Sequence, residues 1–168
     1  PSTISKELAL YVVIYAPVQM AADLPSNYEG NPAFQFILDV PTDWEETKVL
    51  NGEIGEFITI ARKDINSDSW YIGSITNEDG RSIEIEMNFL NDNATYKATI
   101  YKDPTNGGWI NNPEQVDIKR SILQDETIEA NAATLVLEVC LLSGNSQVLC
   151  MPIDATLGNL KAMTSDKF

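Results

Sequence analysis

The chain contains no histidine. Ser-His-Asp and Cys-His nucleophilic sites are thereby excluded, as are zinc sites built on imidazole. Cysteine is nearly absent. Cys140 and Cys150 are the only two, too few for a four-ligand thiolate site. They lie symmetrically about Asn145. A hairpin centred there sets them opposite each other within disulfide reach, and two reduced, half-buried thiols fit the same spacing. Positive charge is scarce: 11 Lys and Arg stand against 25 Asp and Glu, a net charge of −14 over 168 residues. Phosphate and anionic lipid would both be repelled, so neither a nucleic-acid nor a membrane partner is expected. Acidity of this size serves solubility. The start at Pro1, without initiator methionine, basic leader or cleavage signal, reads as a trimmed end and leaves the compartment unread.

What is present is a hydrophobic content of 43%, enough for a core, in a chain of one-domain length. Residues 3–24 read as a helix capped by Ser2 or Thr3. From Leu8 to Leu24 the run is nearly all apolar, interrupted by Pro17, Gln19 and Asp23. A membrane span needs about 20 apolar residues without such breaks. A helix apolar on every side is instead one buried inside a larger protein, and Pro17 should kink or divide it. Residues 25–45 form a Pro- and Asn-rich connector, with Phe34–Leu38 as a short helix or a short buried strand.

After Trp44 the periodicity changes to two. Phe57–Ala61, Trp70–Ile75, Tyr96–Tyr101, Val116–Ile118 and Ala133–Leu137 read as strands. Ile83, Ile85, Met87 and Phe89 alternate with polar residues, the pattern of a strand with one wet face. Asn77–Gly80, Asn91–Asn93 and Pro104–Gly108 supply turns. Short strands joined by hairpins imply an antiparallel β-sandwich. The fold class is therefore mainly β, a sandwich preceded by one long helix. The division is 1–43 helix and connector, 44–153 sandwich, and 154–168 irregular tail.

Chemistry-bearing patterns are few. Asp64-Ile65-Asn66-Ser67-Asp68 opens like a calcium loop but has Ser69 and Ile75 where Gly and Glu belong, so it reads as a polar turn. Glu84 and Glu86 share one strand face, as paired hydrolytic carboxylates could, but that face is the solvated one. Trp44, Trp70, Tyr71, Tyr101 and Trp109 could stack on sugar rings, though large aromatics more often fill cores. Trp109, beside Gly107-Gly108, and Tyr101 are the candidate sugar-stacking positions. No catalytic or metal-binding residue is assigned.

Leu8–Pro25 resembles the last barrel helix of glycoside hydrolase family 97. Ala33–Ile37, Asp43-Trp44, Gly55–Lys63, Trp70–Gly73 and Tyr96–Asp103 continue the resemblance in order and spacing over roughly residues 4–139. The family comprises α-glucosidases and α-galactosidases with an N-terminal β-supersandwich, a (β/α)8 barrel and a C-terminal β-sandwich described as an oligomerisation domain. The resemblance implies a non-catalytic structural and oligomerisation module, left with one barrel helix. It implies the barrel as partner, self-association, and a periplasmic or extracellular location. Calcium and the catalytic carboxylates belong to the parent's other parts, so no cofactor is expected in this chain. Residues 140–168 do not follow the family pattern. Two other readings are a carbohydrate-binding sandwich and an independent enzyme using a carboxylate pair. Freed of a barrel, residues 8–24 should drive self-association, unless the helix folds back over the sheet.

Overall fold

The computed structural model describes residues 2–91, 94–104, 110–123, 128–132 and 134–142. The tail from residue 143, with Cys150 and the hairpin expected about Asn145, lies outside the described residues, as does Trp109. Within them the chain runs α1 (Ile4–Val13), α2 (Pro25–Tyr28), α3 (Phe34–Asp39), β1 (Trp44–Glu53), β2 (Phe57–Asp64), β3 (Trp70–Thr76) and β4 (Arg81–Ile85). It continues through β5 (Thr95–Lys102), β6 (Asp117–Leu123), β7 (Ile128–Ala132) and β8 (Thr134–Leu142).

Six strands form one sheet in the order β1-β2-β3-β8-β5-β6, and β4 pairs with β7 in a second. Every pairing is antiparallel. The strands β2, β3 and β5 of the large sheet are buried on both faces. Alternate side chains of a strand point to opposite sides, so Trp70 and Ile72 of β3 enter one core and Tyr71 enters the other. The same alternation sends Tyr96, Ala98 and Ile100 of β5 one way and Tyr101 the other. Ile85 of β4, fully buried, joins the first core and closes the sandwich. On that strand Ser82 and Glu84 are exposed, the wet face that the alternation predicts.

The second core is covered by helices. Leu8, Ala9 and Val12 of α1, with Ala33 and with Phe36 of α3, pack on Tyr71 and Tyr101. Phe36 meets both tyrosine rings edge-on, at centroid distances of 6.1 and 5.5 Å. Phe34–Leu38 is therefore helical, which resolves the two local readings. The helix at 3–24 is a correction. It spans only Ile4–Val13, with Thr3 as its cap: Oγ1 accepts from the Lys6 amide at 3.2 Å. It stops at Ile14, which is already extended (φ −91°, ψ 116°), three residues ahead of Pro17. Proline in the next turn would leave the carbonyl of Val13 without its amide donor, so the helix ends first. Among the described residues no helix is long and apolar enough to cross a membrane.

One glycine sets the fit between the layers. A Cβ on Gly73, in the middle of β3, would lie 2.8 Å from the Ala9 carbonyl oxygen and 3.0 Å from Val12 Cβ. The missing side chain lets the helix backbone approach the sheet closely, a familiar role of glycine within strands.

Candidate functional site on the helix-covered face

The positions weighed for chemistry do not converge. Glu84 and Glu86 are exposed, and no group of three or more metal-type side chains occurs among the described residues. The Asp64 turn is occupied by its own hydrogen bonds. Its carboxylate accepts from the Asn66 amide at 3.1 Å and from the Ser67 hydroxyl at 2.6 Å, and the Asp64 amide donates to the Ser69 carbonyl. Tyr101 is a correction: it is only 2% exposed and packs against Phe36, so its ring offers no face to a sugar. Trp44 and Tyr71 likewise pack on each other, at 5.7 Å.

A surface does take shape where the helix leaves the sheet. After Ile14 the chain turns back along α1. The Tyr11 hydroxyl donates to the Met20 carbonyl at 2.9 Å, and Gln19 Nε2 donates to the Tyr11 carbonyl at 3.3 Å. Asp23 Oδ1 accepts from the Leu24 amide and from Asn27 Nδ2, both at 2.7 Å, which fixes the entry to α2. Tyr28 stacks on Phe34 at 4.9 Å and ties α2 to α3. These ties enclose an open hollow of about 870 Å³ lined by α1, the returning segment and α3. Ile14 and Met20, which line it, are exposed, and so are Tyr15, Val18 and Leu24 of the same returning segment, Val18 and Met20 by more than 70%. Burial raises the Tyr11 phenol pKa above its ordinary value, with smaller contributions from Tyr28 and Glu7.

Arg62 anchors this arrangement from below. It is 7% exposed, on β2. Nε donates to the Val12 carbonyl at 2.6 Å, Nη2 to the Val13 carbonyl at 3.4 Å and Nη1 to the Thr47 hydroxyl at 2.9 Å. Its guanidinium carbon also lies over the rings of Tyr15 at 5.6 Å and Trp44 at 5.9 Å. The last carbonyls of a helix lack intrahelical donors, and a cation is favoured there. Burial lowers the Arg62 pKa, and Tyr15 works in the opposite direction. Sequence reasoning gave Arg62 no role. The available signal was its position inside the apolar run of β2, where an unpaired charge would be costly.

The other end of α1 holds Asp103, also buried. Burial pushes its carboxyl pKa up. The Thr3 and Ser5 hydroxyls and Lys6 pull it part of the way back. Among the described residues Ser5 Oγ and Asp103 Oδ1 have no partner that meets full hydrogen-bond geometry, so the relief is partial. A carboxyl whose folded pKa is raised binds its proton more tightly in the native state. Its contribution favours the fold at low pH and is lost as pH rises from the unfolded value through the folded one. Asp103→Asn is therefore expected to raise the thermal midpoint at pH 7, with the gain shrinking toward pH 4. Melting curves across that range check this, and an equal or lower midpoint at pH 7 would contradict it.

Comparison with known proteins gives these features a family. Residues 43–135 match the family described as glycosyl-hydrolase 97 C-terminal, oligomerisation. A retaining alpha-galactosidase of Bacteroides thetaiotaomicron is 45% identical over 102 residues, 60% of this chain and 15% of that protein. The structure of a glycoside hydrolase family 97 enzyme from Pseudoalteromonas sp. in complex with acarbose superposes with a TM-score of 0.79 at 42% identity. It covers 84% of this chain, and a variant in complex with panose matches equally well. The chain spans less than a quarter of the length of these relatives, 15% and 23% respectively. The match runs from the start of β1 to the start of β8, more than half of the chain, and the superposition agrees with it: the chain belongs to the glycoside hydrolase family 97 C-terminal, oligomerisation family, a non-catalytic part of such enzymes.

Proposed function

We propose that this chain is the C-terminal module of a longer family 97 α-glycosidase acting on α-glucosides or α-galactosides outside the cytoplasm. In this reading its helix-covered face docks on the preceding catalytic barrel. The catalytic carboxylates and calcium ligands belong to that preceding part. The carrying observation is the run of exposed apolar residues Ile14, Tyr15, Val18, Met20 and Leu24 in the segment that follows α1, of which Ile14 and Met20 line the hollow. Scattered single apolar residues are ordinary on a surface, but a contiguous set marks an interface. The row also lies upstream of the matched family span, on the side where the proposed preceding domain would join. Tyr101, a core residue, lends sugar binding by this chain no support.

Met20→Glu tests the docking. In the 168-residue chain it should leave the melting midpoint unchanged, because Met20 is 77% exposed. In the longer enzyme it should lower the midpoint and shorten the half-life of activity, since a charge would be buried without a partner, at a cost of about 2–4 kcal/mol. Equal behaviour in both settings would refute docking through this face. The 168-residue chain alone should give no turnover of aryl α-glucosides or α-galactosides, with or without calcium. Turnover abolished by Glu84→Gln would refute the non-catalytic assignment.

A further inference from the structure

The first turn of α1 meets the end of β5 in a buried polar cluster. Asp103 follows directly on β5 and is 6% exposed. Thr3, Ser5 and Lys6 act on it from the helix, and Thr3 and Ser5 are buried as well. Much of that turn is already engaged. The Ile4 amide donates to the Pro113 carbonyl at 3.0 Å, the Glu7 amide to the Thr3 carbonyl at 3.0 Å, and the Lys6 amide to Thr3 Oγ1 at 3.2 Å. Lys6 Nζ is shared with the Thr76 carbonyl at the end of β3, at 3.5 Å. Among the described residues Ser2 Oγ, Ser5 Oγ and Asp103 Oδ1 are buried without a full hydrogen bond, all three at this junction or one residue ahead of the cap. A carboxyl group so placed is costly as an anion and tolerable as an acid, because too few donors replace the water it has lost.

We propose that Asp103 is a proton-operated latch on α1: as a carboxylic acid it lets the first turn of the helix rest on the end of β5, and as a carboxylate it releases that turn so that water reaches the charge. Opening one helix end costs less than unfolding the domain, so the strain of the buried charge is relieved there first. The other end of α1 is held by Arg62 through the Val12 and Val13 carbonyls, and a guanidinium keeps its charge across the pH range of a carboxyl group. The helix is thus pinned at its C-terminus and pH-sensitive at its N-terminus. Lys6 favours the charged form of Asp103, and burial opposes it more strongly. The other charged side chains on the surrounding described elements are Glu7 of α1, Lys102 of β5 with Asp117 opposite it on β6, Glu114 beside Pro113, and Glu78 and Asp79 beyond β3. Ile4 and Glu7 also line the hollow beside α1, so release of the first turn removes part of one wall of the docking face. That consequence rests on the docking reading, and the latch itself does not.

Native-state hydrogen exchange of the 168-residue chain is the test. Protection factors divide out the intrinsic pH dependence of exchange and report local opening. With the turn open, Asp103 has its ordinary affinity for a proton; with the turn closed, it binds the proton more tightly. The closed state is therefore fully favoured at low pH and loses ground as pH rises from the unfolded value through the folded one. Protection of α1 relative to β3 should fall about threefold or more between about pH 4 and about pH 7. Asp103→Asn should remove that fall, and Glu7→Gln and Glu114→Gln should not. Ser5→Ala takes a donor away from the carboxylate, so it should carry the fall to higher pH. A constant ratio in the parent chain, a fall that survives Asp103→Asn or vanishes in Glu7→Gln or Glu114→Gln, or a Ser5→Ala profile that does not move would each overturn the latch. If Asp103→Asn does not fold, the Ser5→Ala profile still decides. Failure of barrel docking shows only in the longer enzyme, so the two outcomes separate.

Discussion

Deleting residues 1–42 is expected to abolish cooperative unfolding of what remains. The matched family span begins at residue 43, so this deletion looks like a clean domain cut. The packing argues otherwise. Leu8, Val12 and Phe36 are each at most 2% exposed, and all three rest on the large sheet. Burying a side chain of this size contributes roughly 1.5–3 kcal/mol. Together the three approach the whole net stability of an ordinary domain, about 5–15 kcal/mol. Their removal would also expose Tyr71 and Tyr101 on the facing strands. Urea titration followed by circular dichroism, with binding of a hydrophobic dye, provides the measurement. A truncated chain that unfolds in one sharp step at the wild-type midpoint would show that the sheet does not need its helices. The fold-back position of α1 thus replaces the expectation of an unpartnered barrel helix: its inner face belongs to this chain, and its outer face remains free for another.

Arg62→Ala is expected to cost about 2–4 kcal/mol. Hydrogen bonds from a charged donor are worth roughly 1.5–3 kcal/mol each, and unsatisfied buried acceptors cost about 1–3 kcal/mol. The guanidinium serves the Val12 and Val13 carbonyls and the Thr47 hydroxyl together, so three acceptors lose a donor at once. These values do not add simply, because water can enter the vacated space. Arg62→Lys should recover only part of the loss, since an ammonium cannot reproduce the planar fork. The loss should fall first on α1. Hydrogen exchange ought to show its amides opening ahead of those in β2 and β3. Uniform loss of protection across helix and sheet would mean that Arg62 supports the whole core and not the end of the helix.

The strands were legible because their apolar residues alternate. Phe57–Ala61, Trp70–Ile75 and Tyr96–Tyr101 all fall within observed strands. β1 was not legible. Trp44-Glu45-Glu46-Thr47-Lys48 carries charge on successive residues, and its two register shifts break the period. Such irregularity is typical of an edge strand, where charge and bulges discourage pairing with strangers. β7, Ile128-Glu129-Ala130-Asn131-Ala132, is short and carries one large aliphatic, so it too gave no signal. The end of α1 was misplaced because the apolar run continues through residues that stay largely exposed. Val18 and Met20 look like core in the sequence and stand in solvent in the structure. Composition cannot say whether a hydrophobic residue is destined for its own core or for another surface. Tyr101 shows the converse: an aromatic that fits a binding platform equally well fills a core. Arg62 and Asp103 escaped notice because their significance lies in contacts with α1, some 50 or more residues away and beyond the reach of local pattern.

The order of strands in the large sheet has a consequence for how the molecule is made. β8 lies at its centre, between β3 and β5, yet it is the last strand described along the chain. Until it is synthesised, β1-β2-β3 and β5-β6 are separate ribbons, each with an open inner edge. Chains emerge from the ribosome N-terminus first, so those two edges wait, unpaired and bordered by Ile72 and Ile100, for a strand about 60 residues beyond β3. Distant pairings form slowly, and open edges invite pairing between chains. A nascent chain stalled or cleaved before Thr134 would therefore aggregate as two half-sheets instead of folding, and the birth of this domain hinges on β8.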